Sequence, residues 1–145
     1  MRSAVNWPSV VSMSHHPLPD QVKTWIDDGH EFATIATIEP DGRPQLSVVW
    51  VGYDGDDLLV STLVGRRKHK NLMNDPRATV LIFPRDSPYN YVEVRGTVTM
   101  TTEGGRELID HFSEVYTGSR PYTRDMVGDE RVVVRVHTDK LVFHG

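Results

Sequence analysis

The run Ser61-Thr62-Leu63-Val64-Gly65-Arg66-Arg67-Lys68-His69-Lys70-Asn71-Leu72 concentrates side chains that bind anions. Two hydroxyls close an apolar stretch, a glycine permits a tight bend, and a basic cluster comes directly after it. That order suits a phosphate. Ser and Thr hydroxyls donate to its oxygens, an arginine reaches two of them at once, and a lysine supplies a point charge. A helix starting after the bend adds unpaired N–H groups and a positive dipole end. A solvated basic face and a nucleic-acid patch share the same charges, so all three readings stand at this point.

A second stretch bears on the first. Gln45, Ser47, Val48, Val49 and Trp50 belong to a strand expected beside the one that feeds the basic bend. Backbone N–H and C=O groups along such a strand can read the polar rim of a flat heterocycle, and Trp50 can pack on it. Period two fits a plain strand equally well, with Leu46, Val48 and Trp50 turned to a core.

Other chemistries lack their residues. The chain has no cysteine, which removes disulfides, thiolate metal sites and a Cys nucleophile. Its seven histidines are scattered, with no H-E-x-x-H, and no metal site is expected. His111, on the main helix, reads as a surface or packing residue. There is no G-x-S-x-G, no G-x-G-x-x-G after a first strand and no P-loop. Asp54, Asp56 and Asp57 form a turn without calcium-loop spacing. The irregular stretch Gly118–Asp129 is longer than a plain connection needs. It carries Arg120, Tyr122, Arg124 and Asp125 just before Arg131, and suits a lid, a dimer contact or a surface loop.

Several elements must position these residues. Val22, Trp25 and Ile26 make one stripe of a short helix between Pro19 and Gly29. Strands are expected at His30–Ile38, Gln45–Tyr53, Leu58–Thr62, Ala78–Phe83, Tyr89–Thr101 and Arg131–Thr138. A short seventh, Leu141–His144, would come after an Asp139-Lys140 turn. Pro40-Asp41-Gly42 makes a hairpin of the first two. A helix after Gly65 must end by Asn74, because Pro76 disfavours helix at Asp75. Glu103–Tyr116 is the main helix, with Leu108, Ile109 and Phe112 on one face. Many strands, tight turns and few helices predict a mostly β chain folded as an antiparallel barrel. Gly52 and Gly96 mark bends or bulges within it.

The 145 residues suit one domain, expected over 17–145, with 1–16 a flexible extension. Sixteen Lys and Arg against twenty Asp and Glu give a net charge of −4, which argues against a dedicated nucleic-acid binder. No stretch approaches the ~20 apolar residues of a membrane span, and no signal-peptide block opens the chain. A cytoplasmic address is expected, with neither nucleic acid nor membrane as partner.

The order helix, Asp41-Gly42-Arg43-Pro44-Gln45-Leu46-Ser47, then Ser61 to Arg77 with Asn71-Leu72 and Asp75-Pro76-Arg77, resembles the pyridoxamine-phosphate-oxidase-like split β-barrel family. The resemblance covers residues 18–145. It implies a homodimer with a flavin-type cofactor at each of two subunit interfaces. In the branch with R-x-K-x-x-N-L the cofactor is commonly the deazaflavin coenzyme F420; in others it is FMN. Carried onto this chain, Ser61, Thr62, Arg66 and Lys68 hold the phosphate end, and Asn71 supports it. Arg67 is added because the FMN branch has an Arg-Lys pair there. Gln45, Ser47 and Val48 line the ring, Trp50 stands nearby, and Val60 packs beneath. The ending Lys140-Leu141-Val142-Phe143-His144-Gly145 lacks an Arg-x-His substrate motif, which points away from vitamin B6 oxidation and toward the deazaflavin-dependent reductases. The implied activity is hydride transfer to a small conjugated or aromatic acceptor. The alternatives are an FMN enzyme of the same fold, or a flavin, deazaflavin or haem binder without turnover. No catalytic residue is implied.

Overall fold

A computed structural model describes residues 13–144. Its elements, in chain order, are α1 (Asp20–Asp27), β1 (Ala33–Ile38), β2 (Pro44–Val49), β3 (Gly52–Asp54), β4 (Asp57–Leu63), α2 (Arg67–Asn74), β5 (Arg77–Ile82), β6 (Val92–Thr101), α3 (Gly105–Thr117) and β7 (Arg131–Phe143). All strand pairs are antiparallel, in the order β2-β1-β5-β6-β7-β4-β3. The expectation of a mostly β antiparallel barrel therefore holds.

Closure is dictated by chain length. β2 and β3 stand at opposite edges of the sheet, yet only Trp50 and Val51 separate them. Flat, seven strands would hold those edges about 29 Å apart. The short link spans about 10 Å at most. The sheet must curl until its edges nearly meet, leaving a split that Trp50-Val51 crosses. The barrel interior is filled by alternate residues, among them Ile35, Leu58, Val60, Val80, Val94 and Val134, and α1 adds Val22 and Ile26.

Outside the barrel, α3 lies on β4 and β7, where Leu108 and Phe112 meet Leu59 and Val133. Gly105 makes this approach possible: a Cβ there would stand 2.2 Å from the Arg131 carbonyl oxygen.

Two expected elements differ. The stretch Gln45–Tyr53 is not one strand but β2 and β3, divided at the crossover. Leu46 and Val48 face outward and are exposed, so they form no core face with Trp50. At the C-terminus, Asp139-Lys140 makes no turn, and β7 runs unbroken to Phe143. Gly96 pairs with Thr138 and Arg95 with Lys140, so Asp139 is the extra residue of a bulge. At Gly96 a Cβ would fall 2.1 Å from the His137 carbonyl oxygen.

Ser14 to His16, expected within a loose extension, are fastened to the barrel. The His15 and His16 N–H groups donate to the Thr138 carbonyl at 2.8 and 3.2 Å. The Ser14 hydroxyl donates to Asp57. The earlier part of that extension lies outside the described residues. No helix among the described residues is long and apolar enough to cross a membrane.

Candidate functional site

β4 delivers the first polar group. Along it Val60 and Thr62 turn into the barrel and are buried, while Ser61 turns outward. After Leu63 the chain bends through Gly65, whose φ of 88° favours glycine. The Arg66 N–H closes the bend on the Leu63 carbonyl at 3.1 Å, and the Val64 N–H reaches the Glu130 carbonyl at 3.0 Å. The Gly65 N–H donates to His69 Nδ1 at 3.1 Å. No side chain caps α2. Its first-turn N–H groups, which have no partner within a helix, stay available to an anion.

A cavity of about 300 Å³ opens beside this bend. Its wall carries the polar and basic groups Ser61, Arg66, Lys68 and Arg131 together with the apolar Val48, Val49 and Trp50 from β2 and the crossover, and Phe32, Phe112 and Tyr122. The Arg131 guanidinium lies 5.0 Å over the Tyr122 ring.

The three cations differ in their partners. Asp125 clasps Arg131 through Nε at 2.9 Å and Nη2 at 2.6 Å, while Arg131 Nη1 donates to Ser61 Oγ at 3.3 Å. Burial would lower the pKa of Arg131, but the Asp125 hydrogen bonds outweigh it and raise it. The Arg131 hydrogen bond, with Arg106 adjacent, holds the Asp125 carboxyl below its usual range. Among the described residues neither Arg66 nor Lys68 has an acidic partner within 4.0 Å. Burial, and then the charge of Arg66, pull the Lys68 ammonium below its ordinary value. The cavity wall thus carries positive charge that no neighbouring carboxylate offsets, an environment that favours an anion.

The apolar wall is held from behind by Tyr116. Trp50 stacks on its ring, with centroids 5.5 Å apart and planes 5° from parallel, and Phe32 stacks on it at 5.5 Å. The Tyr116 hydroxyl faces the Glu31 and Val51 carbonyls at 2.8 and 3.0 Å and accepts the Val51 N–H at 3.2 Å. It therefore ties the crossover to the start of β1, across the split. Burial pushes this hydroxyl up to about 12, so it stays a donor at neutral pH.

Of the residues expected at the site, Val48, Trp50, Ser61, Arg66 and Lys68 meet in the cavity. The side chains of the others stand elsewhere. Val60 and Thr62 are inside the barrel. Arg67 is exposed and lies 3.7 Å from Glu39. Ser47 has a shielded hydroxyl without a hydrogen-bond partner. Asn71 is buried and donates through Nδ2 to Thr37 Oγ1 at 3.1 Å, which in turn donates to Gln45 Oε1 at 3.3 Å. Asn71 and Gln45 therefore join α2 to β1 and β2. Phe32, Phe112, Tyr122 and Arg131 had no place in the expected site. Tyr122 and Arg131 lie in or beside the over-long segment after α3, and that length was the available signal. Among the described residues no group of three His, Cys, Asp or Glu side chains is placed to hold a metal.

Residues 18–144 match the family model described as pyridoxamine 5'-phosphate oxidase. A pyridoxine/pyridoxamine 5'-phosphate oxidase from Rhodopseudomonas palustris is 32% identical over 95 residues, 65% of this chain and 43% of that protein. The chain thus spans less than half the length of that relative. Among solved structures, an F420 reductase superposes with a TM-score of 0.69 and 27% identity, over 78% of this chain and 90% of that one. Rv2991 from Mycobacterium tuberculosis does so with a TM-score of 0.66 and 25% identity, over 94% and 88%. With the matched residues running from before α1 to the last residue described, the chain belongs to the pyridoxamine 5'-phosphate oxidase family.

Proposed function

We propose that this chain is an oxidoreductase that holds coenzyme F420 by its phosphate at Arg66 and Lys68 and passes a hydride to a small conjugated or aromatic acceptor. The observation that carries the reading is a pair of cations without acidic partners, Arg66 and Lys68, on the wall of a cavity also lined by Val48, Val49, Trp50 and Phe32. The likeness to an F420 reductase favours the deazaflavin over FMN, which is the second candidate.

The residues fit such a cofactor. Arg66 and Lys68 bind the phosphate oxygens, Ser61 Oγ and the first-turn N–H groups of α2 complete the anchor, and Arg131 stays on Asp125. Val48, Val49 and Trp50 support a planar ring, and Phe32 and Tyr122 exclude water from it. When bound, the cofactor supplies the hydride chemistry. The protein contributes position, stacking the acceptor within reach of the ring. Tyr116 is not the proton donor, since its hydrogen is engaged by backbone carbonyls; solvent supplies the proton.

The reading includes a homodimer. Leu46 and Val48 on the edge strand β2 are 62% and 71% exposed, and a second copy would cover them. Light scattering that returns the mass of one chain would remove this part. For the cofactor itself, F420 and FMN are titrated side by side. F420 is expected to bind more tightly, and the variant combining Arg66→Ala and Lys68→Ala is expected to bind neither. Equal affinity of wild type and that variant for both molecules would overturn the anchor. Tight binding without oxidation of the reduced cofactor by a panel of quinones and nitroaromatics would make the protein a carrier.

A further inference from the structure

Ser61 and Arg131 both line the cavity, and their contact decides which way a hydroxyl can point. The register pairs Arg131 with Leu63 and Val133 with Ser61, so Arg131 and Ser61 are diagonal neighbours on the outer face of the sheet. Arg131 Nη1 donates to Ser61 Oγ at 3.3 Å. A guanidinium has no acceptor, so the direction of this bond is fixed, and Ser61 receives it on a lone pair. The hydrogen of the Ser61 hydroxyl meets no acceptor among the described residues. It is left for whatever enters the cavity.

The guanidinium is itself held in place. Its Nε and Nη2 fork onto Asp125 at 2.9 and 2.6 Å, and both side chains are only 8% exposed. Arg106 also donates to Asp125, at 3.1 Å, and the Tyr122 ring packs against the Arg131 guanidinium. Asp125 matches the charge of Arg131, whereas Arg66 and Lys68 have no such partner among the described residues. What Arg131 adds to the cavity wall is therefore direction more than charge: two of its nitrogens hold Asp125 and the third holds Ser61.

We propose that Arg131 is a positioning residue of the anion anchor: clasped by Asp125, it fills the acceptor side of Ser61 and makes that hydroxyl a one-way donor to a phosphate oxygen. The inference deepens the proposed function and rests on it, since it takes Arg66 and Lys68 to hold a phosphate at this wall. Every group of the anchor is then a donor, the first-turn N–H groups of α2 included, which suits an ionised oxyanion.

The test is a double-mutant cycle on the full chain without cofactor, with inorganic phosphate as the probe and calorimetry as the readout. Ser61→Ala removes the donor and is expected to weaken phosphate binding about tenfold, the scale of one charge-assisted hydrogen bond. Arg131→Lys keeps a positive charge beside Asp125, but its single nitrogen cannot fill the three positions of the fork. It is expected to weaken phosphate about fivefold in wild type and to have no further effect once Ser61→Ala is in place. A substitution that merely disturbed the segment around Tyr122 would instead add to Ser61→Ala, and such additivity would overturn the proposal. So would unchanged affinity in Arg131→Lys, or no phosphate binding by wild type. Should Arg131→Lys fail to fold, a wild-type crystal soaked in phosphate decides the matter. A phosphate oxygen on Ser61 Oγ with Arg131 still on Asp125 is expected; Arg131 turned from Asp125 onto the phosphate would overturn the role. If phosphate obeys the cycle while F420 and FMN both fail to bind, the positioning role stands and the cofactor reading fails.

Discussion

Two polar clusters occupy the same outer face of β4 and β7, about 13 Å apart along the strands. At one end Asp57 is enclosed by Arg135 at 3.0 Å, His137 at 3.2 Å and Ser14, and His137 reaches Thr99 at 2.9 Å. At the other end stand Ser61, Arg66, Lys68 and Arg131. The first cluster meets its charges with partners of its own, in a region that is almost wholly buried. Burial would raise Asp57, but the hydrogen bonds of Ser14 and Arg135, with His137 close by, hold its carboxyl below the usual range. The second cluster leaves two cations without a carboxylate, and Lys68 is pulled the opposite way from a stabilised charge. A polar group matched from within serves the fold. One left unmatched beside a cavity is where the proposed ligand would bind.

The contrast is most severely tested at Asp57. Replacing it with alanine leaves Arg135 buried with Asp54 alone, at 3.1 Å. Loss of one partner from a buried ion pair costs about 3 kcal/mol here, at the low end because Asp54 remains. Urea denaturation should show that loss. An unchanged midpoint would mean the enclosed cluster does not hold the fold. Arg66→Ala and Lys68→Ala should behave in reverse. Each is expected to weaken cofactor binding by about 1.5–3 kcal/mol, the scale of a charged hydrogen bond, and to leave the cofactor-free midpoint nearly unmoved.

Tyr116→Phe sits between the two. It removes only the hydroxyl that ties Val51 to Glu31, at an expected cost of about 1–2 kcal/mol, while keeping the ring against Trp50. Denaturation reads the cost, and unperturbed Trp fluorescence would confirm that the stack persists.

Smaller still are the pH effects, and their signs differ. The folded pKa of Asp57 lies below its unfolded value near 3.8, so its contribution is fully present above that value and fades as pH falls through the lowered one. Asp57→Asn should flatten that part of an acid melting series. Lys68 titrates below 10.5, so cofactor affinity should decline as pH rises through its lowered value. Lys68→Arg, charged throughout, should remove the decline.

Much of this architecture is legible in the residues. Turn chemistry at Pro40-Asp41-Gly42, the stop at Asp75-Pro76 and the stripe on α3 each act locally, and local signals survive in a sequence. The crossover does not. Gln45–Tyr53 carries no turn pair at Trp50-Val51, and Gly52, read as a bend within one strand, is the first residue of β3; the chain passes from one sheet edge to the other through two apolar residues that look like strand. Asp139-Lys140 has the composition of a turn, yet its pairing with β6 makes it a bulge. The basic end of the site is contiguous and could be read directly. Arg131 could not, since it meets Ser61 across 70 residues of chain. Asn71 and Val60 stand at the right places in the motif, but their side chains point into the protein.

Under the proposed function, the bend after β4 grips the anionic tail of a cofactor lying along Val48–Trp50. A crystal of the full chain soaked with F420, and another with FMN, tests it most directly. The phosphate oxygens should lie within hydrogen-bond distance of Arg66 and Lys68, with the ring against Trp50. A ligand bound elsewhere, with Arg66 and Lys68 still facing solvent, would contradict it.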